Sequence, residues 1–590
     1  MSNTDEDHGE RSNHEAQARG EDGFDYDWIV VGSGFGGSVS ALRLAEKGYG
    51  VCVLEAGRRF EDKDFPPSAW RFRRFIWAPV VGKRGILRIY LFKDIAILAG
   101  CGVGGGSLVY ANTLYVPSRE FFEAEEWRSM QDWEASLSPH YDEAKRMLGA
   151  SEVPFETEAD KLFQELAKDM DVEYKRPTVG VFFGEPGKAV PDPYFGGEGP
   201  DRAGCIRCGA CMVGCRHNAK NTLRKNYLWF AEQLGVEIRP ERQVVDVRPI
   251  GAEDGSDGYR VTSQRPGAWV RKRRETLKAR GVVFAAGAVG TNWLLRSCKE
   301  FGSRPRLSDC LGSRVRTNSE ALLAVTASKD KHDFHRSVAI SSSIYPDEVT
   351  HIENVTYGEA ADAMGLLFTS LTGPGTRITR PLKWGAGVFA HPIRFLRLMW
   401  KRGWAKRTVI LLVMQTLDNS MRLKGIRLGR HKVWLQTEQD PDNPNPTWIP
   451  VANETAQRVA EKIDGIAQSN LPEALLNTPA TAHILGGAVI ADDPEQGVVD
   501  LHQRAFGYEN LLVCDGSVVP ANPGVNPSLT ITALAEHAMT FVPTAPGELE
   551  QSSANGKRPT AEGDDDAVEA KDQPQSQPAA HEAGEPAEPS

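Results

Sequence analysis

The sequence predicts an α/β fold built on a dinucleotide-binding, Rossmann-like parallel sheet. Two stretches carry the prediction. Residues 27–57 read DWIVVGSGFGGSVSALRLAEKGYGVCVLEAG, a strand–glycine turn–helix–strand pattern. Residues 281–287, GVVFAAG, form a continuous apolar run of the kind found in parallel strands buried on both faces. Length adds a third observation. At 590 residues the chain exceeds one simple core, so two closely joined domains are expected.

Taken in order, Asp27 to Val31 reads as a buried strand, Ser38 to Lys47 as a helix and Val51 to Leu54 as a second strand. Between them Gly32, Gly34 and Gly37 fall at G-x-G-x-x-G spacing. Gly32 permits the tight turn, Gly34 lets the backbone approach a pyrophosphate, and Gly37 lets helix and strand pack closely. The helix N-terminus offers free N–H groups to the phosphates. Glu55, 21 residues beyond Gly34, is placed to accept hydrogen bonds from a ribose diol and would repel a 2′-phosphate. NADP is therefore disfavoured, and this stretch alone leaves FAD and NAD open.

The net charge of −10 comes from the ends. Residues 1–27 carry −7 and residues 546–590 carry −8, so the body between them is about +5. Both ends are rich in acids, Pro, Ser, Gln and Ala and poor in aromatics, so residues 1–24 and 546–590 are expected to be solvated, disordered tails. The acidic N-terminus lacks the apolar stretch of a secretory signal. No run reaches the roughly 18 apolar residues of a membrane span. TVILLVMQTL, 408–417, reads instead as a core strand. A cytoplasmic location is expected, with the nine cysteines as thiols or ligands.

A second glycine cluster, GCGVGGGSLVYANTLYVP at 100–117, asks for another close approach of backbone to a flat or anionic group. Here the chain resembles the glucose–methanol–choline (GMC) flavoprotein oxidoreductases, and most of all their cholesterol oxidase branch. The resemblance implies FAD, with Gly104, Gly105, Gly106 and Ser107 in a loop beside the flavin. Some members carry a histidine in this loop that links covalently to flavin. Cys101, Gly102 and Val103 stand there in this chain, which implies non-covalent FAD.

Residues 119–200 read as helices and loops without evident chemistry. CIRCGACMVGC follows, with Cys205, Cys208, Cys211 and Cys215 at C-x2-C-x2-C-x3-C spacing. That spacing matches ferredoxin-type iron–sulfur runs, although Arg216 replaces the usual proline and no second run is present. Iron–sulfur, zinc and plain thiols are the alternatives. Beyond it, Val236–Ile238 and Gln243–Arg248 read as strands, and the resemblance implies that Val245 touches adenine. GAVGTNWLLRS, 287–297, resembles a further GMC segment in which Gly287 brings backbone to the cofactor.

Residues 320–450 alternate strand-like runs with irregular stretches, as an antiparallel sheet would. Residues 377–407 hold nine Lys or Arg and no acid. Within them His391 to Trp404 reads as an amphipathic helix, either a solvated charged face or one lying in lipid headgroups. Residues 66–94 mix Trp70, Phe72, Phe75 and Trp77 with Arg71, Arg73, Arg74, Lys83 and Arg84, as a long loop or a second lipid-facing surface. No nucleic-acid-binding fold accompanies either basic stretch.

The C-terminal region carries TAHILGGAVI and NLLVCDGSVVPANPGVNPSLTITALAEH. By resemblance, His483 is the catalytic histidine of an H-x-x-G-G segment, and Asn526 is its polar partner in G-V-N-P. Asp515 and Gly516 are a flavin-binding turn. Pro527 opens a helix from Ser528 to Met539 whose N-terminus favours an anionic reduced flavin. Glu353 in HIENVTYG stands in the part of the chain where cholesterol oxidases hold a buried glutamate base. Ala488 and the cysteine run depart from that branch.

The expected architecture is the GMC fold. An FAD-binding domain is assembled from 25–118, 201–310 and 479–545, and interleaves with a substrate domain from 119–200 and 311–478 built on an antiparallel sheet. The expected activity is FAD-dependent oxidation of a hydrophobic alcohol, such as a 3β-hydroxysteroid, with oxygen giving hydrogen peroxide. The alternatives are a dehydrogenase passing electrons to a carrier, and a membrane-associated flavin-binding protein with little turnover. Oligomeric state is not legible.

Overall fold

The computed structural model of the protein describes residues 23–268, 270–304, 306–429 and 433–546. The two acidic tails read from the sequence lie almost wholly outside them. Two large sheets organise the rest. In the first, strands run in the order Glu237–Arg239, Val51–Leu54, Tyr26–Val31, Glu275–Phe284, Tyr259–Gln264 and Gln243–Pro249. The first four are mutually parallel. The ten-residue strand Glu275–Phe284 is the hinge of the layer. Its first half pairs antiparallel with Tyr259–Ser263, and its second half pairs parallel with Leu511–Val513. That last pairing brings the C-terminal segment beside the N-terminal unit.

The turn after the first strand is held by contacts only glycine allows. Gly32 has φ +104°, and a Cβ there would come within 2.3 Å of the Ala285 carbonyl oxygen. A Cβ on Gly37 would meet the Gly32 carbonyl oxygen at 2.2 Å. The helix Phe35–Glu46 packs on the C-terminal helix Ser528–Thr540. Arg43 clasps Glu536 at 2.7 Å across this contact, and Glu143 of the helix Trp133–Leu148 at 2.6 Å.

The second sheet is antiparallel throughout. Its order is Phe368–Ser370, Gly465–Asn470, Ala321–Ala327, Thr408–Gln415, Thr350–Val355, Ile340–Tyr345 and Glu173–Lys175. Its central strands are apolar on both faces because two cores sandwich them. Leu323, Leu411 and Val413 join one core with the helices Glu158–Met170 and Pro450–Lys462. Ala324, Ile410 and Leu412 join the other, against Phe75 and Leu87. The period-two alternation of side chains assigns them.

A small third sheet does the positioning. Ala96–Gly100 pairs antiparallel with Leu87–Leu91 and parallel with Ala480–Thr481. The first of these strands runs into the second glycine cluster, and the last runs into His483. One ladder thus fixes two segments that are remote in sequence.

Two sequence readings are corrected. The helix expected over His391–Trp404 is interrupted. Thr379–Ala390 and Pro392–Met399 are separate helices broken at His391, and Trp404–Arg407 is a third short turn. Pro392 lacks an N–H and its ring excludes it from a helix interior, so it opens the second helix instead. Residues 66–94 are not one loop, since they contain the helix Phe72–Phe75 and the strand Leu87–Leu91. Phe75 and Trp77 are core residues, whereas Trp70 and Phe72 are exposed.

Candidate active site

One cavity of about 330 Å³ joins the glycine loops to the second sheet. Gly34, Gly36, Gly106 and Gly287 line it, together with Asp515, Gly516, His483, Asn526 and Pro527. The remaining wall is mostly apolar, with Arg88 its charged exception, and the second sheet contributes Leu322, Ile340, Val355, Phe368, Ile410 and Leu412 to it.

The glycine loops dock backbone to backbone. A Cβ on Gly105 would come within 2.6 Å of Gly34 Cα, and one on Gly36 within 1.8 Å of the Cys514 carbonyl oxygen. Gly104 has φ +104° and donates its N–H to Ser33 Oγ at 3.1 Å. Ser107 Oγ donates to the Gly104 carbonyl at 2.7 Å and accepts from Leu223 N–H at 3.1 Å. Gly32, Gly37, Gly104, Gly105 and Ser107 therefore shape the loops without lining the cavity. Gly34 is different, because a Cβ there would meet nothing within 4 Å among the described residues. Its missing side chain opens onto the cavity.

Glu55 directly follows the strand Val51–Leu54, with its carboxylate buried. It accepts from Ser33 N–H at 3.1 Å, Ser33 Oγ at 2.7 Å and Gly57 N–H at 2.7 Å. A carboxylate offers about four lone-pair sites, so acceptor capacity for one ribose hydroxyl remains. Asp515 ties the C-terminal turn to the helix Gly287–Glu300. It accepts from Ser517 N–H at 2.8 Å, Gly287 N–H at 2.9 Å and Thr291 Oγ at 2.5 Å. Burial pushes its pKa up, and these bonds oppose the shift. Val245 occupies the irregularity in the pairing of Gln243–Pro249, half-buried and away from the cavity lining.

At the catalytic end the side chains converge. His483 N–H donates to Thr481 Oγ at 2.8 Å. Its Nε2 lies 3.4 Å from Asn526 Nδ2, which donates to Glu353 Oε2 at 3.2 Å. Its Nδ1 faces the Glu320 carboxylate in an ion-pair contact. Glu353 is fully buried on strand Thr350–Val355, and burial raises its pKa to about 8, against the opposing effects of His483 and Asn526. Burial lowers the His483 pKa, but Glu320 and Glu353 raise it by more, and the net shift is upward. Glu320 escapes sequence reading. It is one acid in RTNSEALL with no motif around it, and only tertiary contact gives it meaning.

The metal alternatives at Cys205, Cys208, Cys211 and Cys215 find no support. Among the described residues no group of three or more His, Cys, Asp or Glu side chains is placed to hold a metal ion. Burial pushes the Cys208 thiol up to about 11 and the Cys205 thiol to about 12. Lys220 closes this loop onto the second glycine cluster, donating to the Tyr110 carbonyl at 2.8 Å and the Cys211 carbonyl at 2.9 Å.

Family models described as GMC oxidoreductase match residues 26–306 and 424–535. The chain is 48% identical over 550 residues to a cholesterol oxidase of Mycobacterium tuberculosis, covering 90% of this chain and 93% of the relative. The chain belongs to the GMC oxidoreductase family. A cholesterol oxidase of Acinetobacter baumannii is 45% identical over 529 residues, covering 88% of this chain and 95% of the relative. A pyridoxine 4-oxidase from Mesorbium loti shares the fold at a TM-score of 0.56 and 16% identity, covering 87% of this chain and 99% of that one. Family membership makes this GMC protein an alcohol-oxidising flavoenzyme. Its residues fit FAD. The open cradle at Gly34 suits a pyrophosphate, and Gly287 combines φ +74° with no Cβ obstruction. Cys101 is a buried thiol whose pKa burial pushes up to about 12.

Proposed function

We propose that this chain oxidises the 3β-hydroxyl of a sterol such as cholesterol to a ketone, with non-covalent FAD and oxygen. The observation that carries the reading is a single cavity in which His483 and Asn526 face a largely apolar wall. Apolar surface removed from water contributes about 25 cal/mol per Å², and a few polar groups fix orientation. Identity of 45–48% to cholesterol oxidases supports the same substrate class.

Gly34, Gly36, Gly106, Gly287, Asp515 and Gly516 would hold FAD, with Glu55 and Val245 at its adenosine half. When bound, FAD would supply the hydride acceptor for the carbinol carbon and, with oxygen, the route to hydrogen peroxide. His483 Nε2 takes the hydroxyl proton, and Asn526 Nδ2 hydrogen-bonds the same oxygen. The N-terminus of Ser528–Thr540 favours negative charge at this end of the cavity. Glu353 moves a proton between two ring carbons, shifting the double bond into conjugation without net consumption of protons.

One oxygen consumed and one peroxide formed per ketone is the expected stoichiometry. Ketone formation only with an added electron carrier would contradict the oxidase reading. Glu353→Gln is expected to release the unconjugated ketone, with isomerisation at least about tenfold slower, as read by product chromatography. Conjugated product at the wild-type rate would remove Glu353 from that step.

The surface of Thr379–Met399 supports contact with an anionic lipid surface. Phe389 is 88% exposed, Ile378 75%, Ile393 68% and Trp400 66%. Fewer cations remain than the sequence suggests, because Arg380 is buried against Glu473, Arg377 meets Asp94 and Lys406 meets Asp330. Arg394, Arg397 and Arg402 are exposed and have no carboxylate partner among the described residues. Cations near an anionic surface contribute about 1 kcal/mol each. Co-sedimentation with phosphatidylserine vesicles is expected, weakened at least about tenfold in Phe389→Asp/Trp400→Asp. Equal sedimentation of the variant would count against this contact. No helix among the described residues is long and apolar enough to cross a membrane.

A further inference from the structure

Glu320 stands against the imidazole of His483 on the Nδ1 side, away from Asn526. We propose that Glu320 is the positioning residue of this site, holding His483 with its proton on Nδ1 so that Nε2 stays the basic nitrogen. The inference rests on the reading of His483 as proton acceptor.

Three observations carry it. The first is the carboxylate's surroundings. The Glu320 side chain is fully buried, with one oxygen on His483 Nδ1 and the other accepting the Ala482 N–H at 2.9 Å. The Ala482 N–H fixes one carboxylate oxygen, which leaves the other turned to Nδ1 with an acceptor for a proton there. The second lies across the ring. The Asn526 amide nitrogen is a donor, and it faces both Nε2 and Glu353. A donor at Nε2 favours a lone pair there, which is the tautomer a carboxylate at Nδ1 also favours.

The third is the turn that presents Glu320. Asn318 and Ser319 have φ +54° and +48°, two consecutive left-handed residues other than glycine. Such conformations cost about 1 kcal/mol or more each and persist where surrounding contacts over-determine them. Here the contacts run to both catalytic segments. Thr481 Oγ donates to the Thr317 carbonyl at 3.3 Å, and Asn318 Nδ2 donates to the Val525 carbonyl at 2.8 Å. The turn ties the segment of His483 to the segment of Asn526 and sets the Glu320 carboxylate against the Nδ1 side of the ring.

The charge follows. Glu320 and Glu353 both favour the imidazolium that forms when Nε2 takes a proton, whereas burial opposes it. His351, on the strand of Glu353, is buried, and burial lowers its pKa to about 3. Arg88 and Asp515 are the other charged groups lining the cavity. Removing the Glu320 charge leaves burial less opposed, so the His483 pKa falls.

The test is the side-chain ¹⁵N spectrum of histidine-labelled holoenzyme, with the His483 signals identified by their loss in His483→Ala. Above its titration midpoint, wild-type His483 is expected to be protonated at Nδ1 and bare at Nε2. In Glu320→Gln the midpoint is expected to fall by about one pH unit or more. The acid limb of kcat/KM moves down with it, kcat drops about a hundredfold or more, and KM changes little. Glu320→Asp keeps the charge and is expected to keep most of the midpoint shift. A merely structural role would weaken both variants alike and leave the midpoint in place. A proton on Nε2 in the wild type, or an unmoved midpoint in folded Glu320→Gln, overturns the proposal. The wild-type spectrum decides the tautomer even if Glu320→Gln fails to fold. It reads no substrate, so it stands apart from the sterol assignment.

Discussion

His483→Ala is expected to lower kcat with cholesterol by about a thousandfold, or about 4 kcal/mol of barrier, while the protein stays yellow. The separation of the two effects follows from geometry. The proposed FAD cradle, backbone at Gly34, Gly106 and Gly287 with the Asp515 side chain, has no hydrogen bond to the imidazole among the described residues. Among the described residues, the polar partners of the His483 ring are Glu320 and Asn526. Its loss leaves Glu320 buried with one donor fewer, so some loss of thermal stability accompanies the variant. Flavin absorbance at matched protein concentration, beside steady-state rates, separates catalysis from assembly. A near-normal rate would remove this histidine from the reaction.

Gly34→Val is expected to fold but to emerge colourless. A Cβ at Gly34 meets no described atom within 4 Å, and the residue's φ of −75° suits any L-residue, so the apo fold tolerates the change. The new side chain fills the space where a pyrophosphate approaches the helix N-terminus. Two lost hydrogen bonds to a charged group, at about 1.5–3 kcal/mol each, weaken FAD by about a hundredfold to ten-thousandfold. Gly36→Val is the contrast, because its Cβ would sit 1.8 Å from the Cys514 carbonyl oxygen and the fold itself should fail. FAD titration and apo-protein Tm distinguish the two. Full flavin occupancy in Gly34→Val would place the pyrophosphate elsewhere.

What was legible in the sequence divides along the range of the contacts involved. The first strand–turn–helix–strand unit could be read because its constraints are local. Gly32 has φ +104° and a Cβ on Gly37 would meet the Gly32 carbonyl, both within the unit, although the atoms nearest a Cβ on Gly32 belong to Ala285 and Ala286. The alternation of Leu322, Leu323 and Ala324, or of Ile410, Leu411 and Leu412, was harder to use. A strand apolar on both faces does not announce which core each side chain joins. His483 and Asn526 were legible only through resemblance, since a lone histidine and a lone asparagine carry no local signal. Glu320 was invisible for the same reason.

The errors are equally physical. Spacing draws attention to the four cysteines but leaves plain thiols open beside a metal, and among the described residues no group of three or more is placed to hold one. Counting cations over 377–407 overstated the free charge, because Arg380 finds Glu473, which lies outside that window in sequence.

The central claim is that the glycine cradle and the His483–Asn526 end form one working site for a sterol alcohol. Anaerobic mixing of the holoenzyme with cholesterol tests it most directly. The account predicts that the flavin absorbance bleaches with stoichiometric ketone and returns when air is admitted. Flavin that stays oxidised with cholesterol and with every other 3β-hydroxysteroid would contradict it.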